Sequence, residues 1–172
     1  MKIDFIKTGN KEFDTAIGFA KGTITVVNSK VGQGKSTFLI KLANLFSDAK
    51  HDVLFFGSNT LFATLKTKNV CVADDMLSLK NILNKRTPDI VIIDDFNYLN
   101  PTLNEIGMLK ESYKNIVFIV SNQLDTTGND HDGRIQFASD NILELTKEKG
   151  EDMKIKVCKS RFYPVPSLQI TI

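Results

Sequence analysis

Nine consecutive residues, Ser29 to Thr37 (SKVGQGKST), carry the clearest chemistry in this chain. Gly32 and Gly34 let the backbone curl so that successive N–H groups converge, which makes a nest for an anion. Lys35 follows as a mobile cation, and Ser36 and Thr37 bring hydroxyls to the point where a helix would begin. Converging amides, the positive end of a helix and an ammonium suit phosphate groups, and the Ser36 hydroxyl suits the Mg²⁺ that accompanies them. Such a loop needs a strand before it and a helix after it. Thr23 to Asn28 (TITVVN) is a β-branched run that predicts a buried strand. Ser36 to Ala49 places apolar residues at 38, 39, 42, 45 and 46, one face of a helix. The pattern is that of a P-loop, with Ser29, Lys30, Val31, Gly32, Gln33, Gly34, Lys35, Ser36 and Thr37 as candidate nucleotide contacts. It departs from the usual form at Ser29, where a glycine normally opens the loop. The bland alternative is a glycine-rich turn with no ligand.

A second cluster is Asp89 to Phe96 (DIVIIDDF), four apolar residues followed by acids. A buried strand of this kind carries Asp94 to the sheet edge beside the P-loop, where it can hold the water shell of Mg²⁺. Solvated acids capping a strand are the alternative. Asp95 is either a general base for an attacking water or a solvent-facing acid. Gln123 ends the run IVFIVSNQ and is either a γ-phosphate sensor or a plain strand-end amide. Lys159 and Arg161, one residue apart on an extended segment, project to one side. They are either a finger for a neighbouring subunit's nucleotide or edge charges that limit aggregation. His51 and His131 read as structural.

The elements that must position these residues alternate. Helices are predicted over Lys11–Gly18, Leu61–Leu65, Met76–Leu83 and Thr102–Tyr113, the last with Pro101 in its first turn. Strands are predicted over Val53–Gly57, Val70–Ala73, Ile90–Ile93 and Ile116–Val120. Asp125 to Arg134 is a polar loop. Ile142–Thr146 and Met153–Cys158 form a hairpin, and Leu168–Ile172 is a last strand. The expected class is α/β: a mostly parallel sheet with helices on both faces and an antiparallel C-terminal edge. The 172 residues fit one domain, 1–172. A net charge of +2 provides no electrostatic case for nucleic acid or membrane. Two cysteines, Cys71 and Cys158, sit in apolar runs and read as buried, reduced thiols. With no apolar leader and no membrane-length run, the expected location is the cytoplasm.

With these pieces placed, the chain resembles the RecA-like ATPases, in particular the ATPase domain of DnaB-like replicative helicases and the RadA/KaiC group. The resemblance spans nearly the whole chain: Thr8-Gly9-Asn10-Lys11-Glu12-Phe13-Asp14, Lys21-Gly22, the P-loop, DIVIIDDFNYL, SNQL, Gly133-Arg134-Ile135 through Asp140, and Lys159-Ser160-Arg161-Phe162 with Pro164. It implies a RecA-like fold, ATP and Mg²⁺, and Lys35, Asp94, Asp95, Gln123, Lys159 and Arg161 as catalytic candidates, with Ser36 and Asp94 toward the metal. It also implies a ring or filament in which Lys159 and Arg161 reach the next subunit's ATP, and single-stranded DNA as a candidate partner in replication or recombination. Two departures bear on activity. Asn59 stands where the family carries a catalytic glutamate, and an amide cannot take a proton from water. The polar loop offers Arg134 against Asp125, Asp130 and Asp132, a weak footing for DNA. One rival expectation is therefore a nucleotide-binding adaptor or regulator, with weak or no hydrolysis, that joins a related ATPase. The other is a small-molecule kinase, disfavoured because no arginine-rich lid is visible.

Overall fold

The computed structural model describes residues 3–57, 64–67, 69–71, 75–128, 133–148, 150–163 and 169–171. Asn59, His131, Asp130, Asp132 and Pro164 lie outside them, as do parts of the expected elements at 61–65, 70–73 and 168–172.

Eight strands form one sheet: β1 (Ile24–Ser29), β2 (Val53–Phe56), β3 (Val70–Cys71), β4 (Ile90–Ile93), β5 (Val117–Gln123), β6 (Asn141–Thr146), β7 (Lys154–Ser160) and β8 (Gln169–Thr171). Their order is β3-β2-β4-β5-β1-β6-β7-β8. Strands from β3 through β6 pair in parallel, and β7 and β8 add an antiparallel edge. Among the described residues five α-helices accompany them: α1 (Lys11–Ala16), α2 (Lys35–Asp48), α3 (Met76–Lys85), α4 (Leu103–Ser112) and α5 (Arg134–Ala138).

The central strands are apolar on both sides, so each contributes alternately to two cores. Val27, Ile92 and Ile119 face α1 and α2 together with Phe13, Phe38 and Phe46. Ile24, Val26, Val91, Ile93, Phe118 and Val120 face α3, α4 and α5 with Leu79, Ile106 and Ile135. The helices start where side chains satisfy their orphan amides. Asn10 accepts from the N–H groups of Glu12 and Phe13, Asp75 caps α3, and Thr102 and Glu105 form a reciprocal capping box on α4.

Several expectations change. Thr102 is the cap of α4, so Pro101 precedes the helix instead of opening it. Strand β5 runs on through Ser121, Asn122 and Gln123 because these polar residues keep the ladder to β1. Lys159 and Ser160 lie inside β7, not after it. A 3-10 turn at Phe96–Leu99 and helix α5 were not anticipated. Cys158 is exposed and Cys71 half-buried, which corrects the buried-thiol reading. The inward residues of β7 are Ile155 and Val157, so Lys156 and Cys158 alternate onto the opposite face, where both are exposed.

Candidate functional site

Strand β1 ends at Ser29, in register with Gln123 at the end of β5. The main chain then folds through Gly32 and Gly34, both with left-handed φ of 77° and 84°. Gly34 is itself the cap of α2, and no side chain satisfies the helix's first amides. A Cβ at Gly34 would stand 2.7 Å from Met153 Cε, so the loop lies against the β6–β7 hairpin and a side chain there would displace the tip of Met153. The Gln33 side-chain oxygen accepts the N–H of Lys147 and ties loop to hairpin a second time. The fourteen-residue helix α2 thus presents open N–H groups and its dipole end to a cleft of about 340 Å³.

That cleft is lined by Val31, Gly32, Gly34, Lys35, Ser36 and Thr37 from the loop, Asp95 from the turn after β4, and Gln123 from β5. Lys35 is buried at 8% exposure, whereas Val31 projects into solvent at 69%. Ser29, Lys30 and Gln33 are not part of this lining. They border a separate notch behind the loop with Leu124, Glu144 and Lys147, and the Ser29 hydroxyl donates to the Lys30 carbonyl at 3.0 Å.

Asp94 follows β4 directly and is buried at 9% exposure. Its N–H donates to the Phe56 carbonyl of β2, and its Oδ1 accepts the Ser121 hydroxyl at 2.9 Å. Asp95 adopts a left-handed φ of 54°. Partial withdrawal from water raises its pKa, the neighbouring Asp94 charge raises it further, and Lys35 opposes both.

The donor set fits Mg²⁺. The oxygens of Ser36 and Asp94 are hard ligands, and the ion's remaining positions suit phosphate oxygens and water. The uncapped α2 terminus and the left-handed backbone at Gly32 and Gly34, where no side chain stands in the loop, fit the phosphates that would accompany it.

Lys159 and Arg161 lie elsewhere. Ser160 pairs with Asn141, which pairs with Thr25 near the start of β1. The P-loop begins after Ser29, four residues further along, so roughly 13 Å of strand separates the two levels. At this opposite edge Lys159 Nζ donates to the Ser139 carbonyl at 2.6 Å, and Arg161 donates to Asp140 Oδ1 at 2.7 Å. Asp140 also receives Lys110 Nζ at 2.8 Å and the N–H of Ile24 at 3.0 Å. Burial is the largest influence on Asp140 and would raise its pKa; the bonds from Lys110, Ile24 and Arg161 outweigh it and hold the carboxyl below its ordinary range.

Sequence reasoning missed three functional candidates: Ser121, Asn122 and Asp140. The first two carried a signal, since polar residues inside an apolar central strand must find partners. Asp140 carried none, because its partners come from distant segments.

A mostly parallel sheet with an antiparallel C-terminal edge, a P-loop after its central strand and an acid after the strand two places away define a RecA-like P-loop fold. The crystal structure of the flagellar accessory protein FlaH from Methanocaldococcus jannaschii superposes with a TM-score of 0.72 at 16% identity, covering 99% of this chain and 94% of that one. The DNA repair protein RadA of Chlamydia pneumoniae is 29% identical over 99 residues, which span 51% of this chain and 22% of RadA. The match to RadA thus covers under a quarter of that protein's length. No family model matches the chain. Among the described residues no helix is long and apolar enough to cross a membrane.

Proposed function

We propose that this chain, as a single domain over 1–172, is a cytoplasmic RecA-like ATPase whose nucleotide sites are completed between copies in a ring or filament. The observation that carries this reading is the separation of the two cationic elements. Lys35 sits at the phosphate cleft, while Lys159 and Arg161 sit at the far edge of the same sheet. Arg161 cannot serve its own subunit's nucleotide, but head-to-tail stacking brings it to the next one.

In this reading the Gly32–Thr37 amides and Lys35 bind the β- and γ-phosphates of ATP. Ser36 and Asp94 would hold Mg²⁺, which would supply charge neutralisation to the β- and γ-phosphates. Gln123 orients a water at the cleft mouth and Asp95 takes its proton as the water oxygen bonds to the γ-phosphorus. The bond to the leaving ADP oxygen breaks, and Lys35 with a neighbour's Arg161 offsets the charge that develops. Work on single-stranded DNA in replication or recombination is the output we assign, supported by the likeness to the DNA repair protein RadA.

The test is ATP turnover against protein concentration, with and without single-stranded DNA, for wild type, Lys35→Ala, Arg161→Ala and an equimolar mixture of the two variants. Shared sites predict steep concentration dependence, two inactive variants and partial recovery on mixing. Turnover that is linear in concentration and untouched by Arg161→Ala rejects the shared site. A second reading, a nucleotide-binding adaptor that joins a related ATPase, is favoured by Asn59 at the position of the family's glutamate. Tight MgATP binding without turnover under any condition selects it.

A further inference from the structure

Strand β5 ends in Ser121, Asn122 and Gln123 after four buried apolar residues. Ser121 and Asn122 are fully buried. A hydroxyl and an amide inside a central strand are destabilising unless paired, and both are paired to the same turn. On the phosphate face, the Ser121 hydroxyl donates to Asp94 Oδ1 at 2.9 Å and accepts the N–H of Asp95 at 2.7 Å. On the other face, Asn122 accepts from Asn97 Nδ2 at 2.6 Å and donates to Asn28 Oδ1 at 3.0 Å.

Asp95 sits at φ 54°, in the left-handed region that residues other than glycine adopt uncommonly and aspartate more readily than most. That conformation lets the Asp95 N–H and the Asp94 carboxylate meet one hydroxyl. The bond to Oδ1 restrains the carboxylate, and Oδ2 is the oxygen to which no described residue donates. The orientation of Asp94 is therefore restrained by β5.

We infer that Ser121 is a positioning residue that aims Asp94 at the metal, with Asn122 and Asn97 bracing the same turn from the opposite face. This rests on the MgATP reading above. The experiment measures equilibrium affinity for a fluorescent ATP analogue with Mg²⁺ and with EDTA, alongside thermal unfolding, for wild type, Ser121→Ala, Ser121→Cys, Ser121→Thr and Asn97→Ala. Partners that orient a ligand typically change metal affinity by roughly 10–100-fold. The gain conferred by Mg²⁺ is expected to fall by about tenfold or more in Ser121→Ala and Ser121→Cys, with affinity in EDTA unchanged. Ser121→Thr retains the gain, and Asn97→Ala, an exposed substitution that removes one partner of the buried Asn122, loses a smaller part of it. The near-isosteric cysteine and the exposed Asn97 keep the test valid where alanine at 121 weakens the fold. A Mg²⁺ gain at the wild-type level in Ser121→Cys and Asn97→Ala overturns the inference alone. A wild-type protein that binds no nucleotide overturns the MgATP reading and this inference with it.

Discussion

The two edges of the sheet treat charge in opposite ways. At the phosphate edge, α2 begins on a glycine with its first amides uncapped, and Lys35 looks into an open cleft. At the far edge, the buried Asp140 carboxylate already receives Lys110, Arg161 and the Ile24 amide, and Lys159 is bonded to Ser139. One edge is electrostatically incomplete until an anion arrives; the other is complete without one. A phosphate therefore adds to the first edge, whereas a partner approaching the second must displace an existing contact. For Arg161 that displacement is cheap, because it is 61% exposed while its partner Asp140 is 2% exposed and keeps two further donors.

The comparison breaks most readily at Lys35. Hydrogen bonds from charged groups contribute about 1.5–3 kcal/mol, so Lys35→Ala should weaken ATP binding by roughly 10- to 100-fold. Titration of a fluorescent nucleotide reads this, and the melting temperature of the free protein should hardly move, since the cleft contributes little to the unliganded fold. Asp140→Ala should do the reverse. It strands Lys110 and the Ile24 amide and is expected to cost about 2–3 kcal/mol of stability, measured by urea unfolding, while affinity for nucleotide in the monomer stays the same.

Acid sharpens the same contrast. The folded-state pKa of Asp140 lies below the unfolded value, so its contribution is fully present above the ordinary aspartate range, about 3.9. It is lost as pH falls through the depressed folded value. The stability difference between wild type and Asp140→Asn should be constant from neutral pH down to about 4 and shrink below that. A gap that narrows near pH 6 instead would point to a different group. The smallest effect is expected for Arg161→Ala, about 0–1 kcal/mol in the monomer, as for other exposed ion pairs. A larger loss of monomer stability would mean that Arg161 is a structural residue and would sink the idea that it exchanges partners.

The features legible in the sequence were local ones. Ile90–Ile93 was delimited by its own apolar run and by Asp94, and the structure keeps those bounds. The P-loop announced itself because its glycines, lysine and flanking strand and helix all lie within one stretch. The antiparallel edge followed from short turns. Contacts over long separations left no trace: the Asp140 cluster joins residues 21, 30 and 116 positions apart. The left-handed turn at Asp95 was equally hidden, since nothing at that residue demands it and the force that holds it comes from β5. Ser121 stood in plain view as a hydroxyl in an apolar strand, but only its register beside β4 says what it grips.

The position of β1 has a consequence for how the chain comes to be functional. This strand is made before both of its neighbours, β5 and β6, and its pairing partners lie roughly a hundred residues downstream. Contacts of such separation form slowly, because long loops must close before they are rewarded. On the ribosome the P-loop sequence emerges before β5 and β6 exist to flank it, and nucleotide affinity should appear only once residues up to 146 are available. Until then β1 is an apolar strand with both edges open, the part of the nascent chain with most need of protection from other chains.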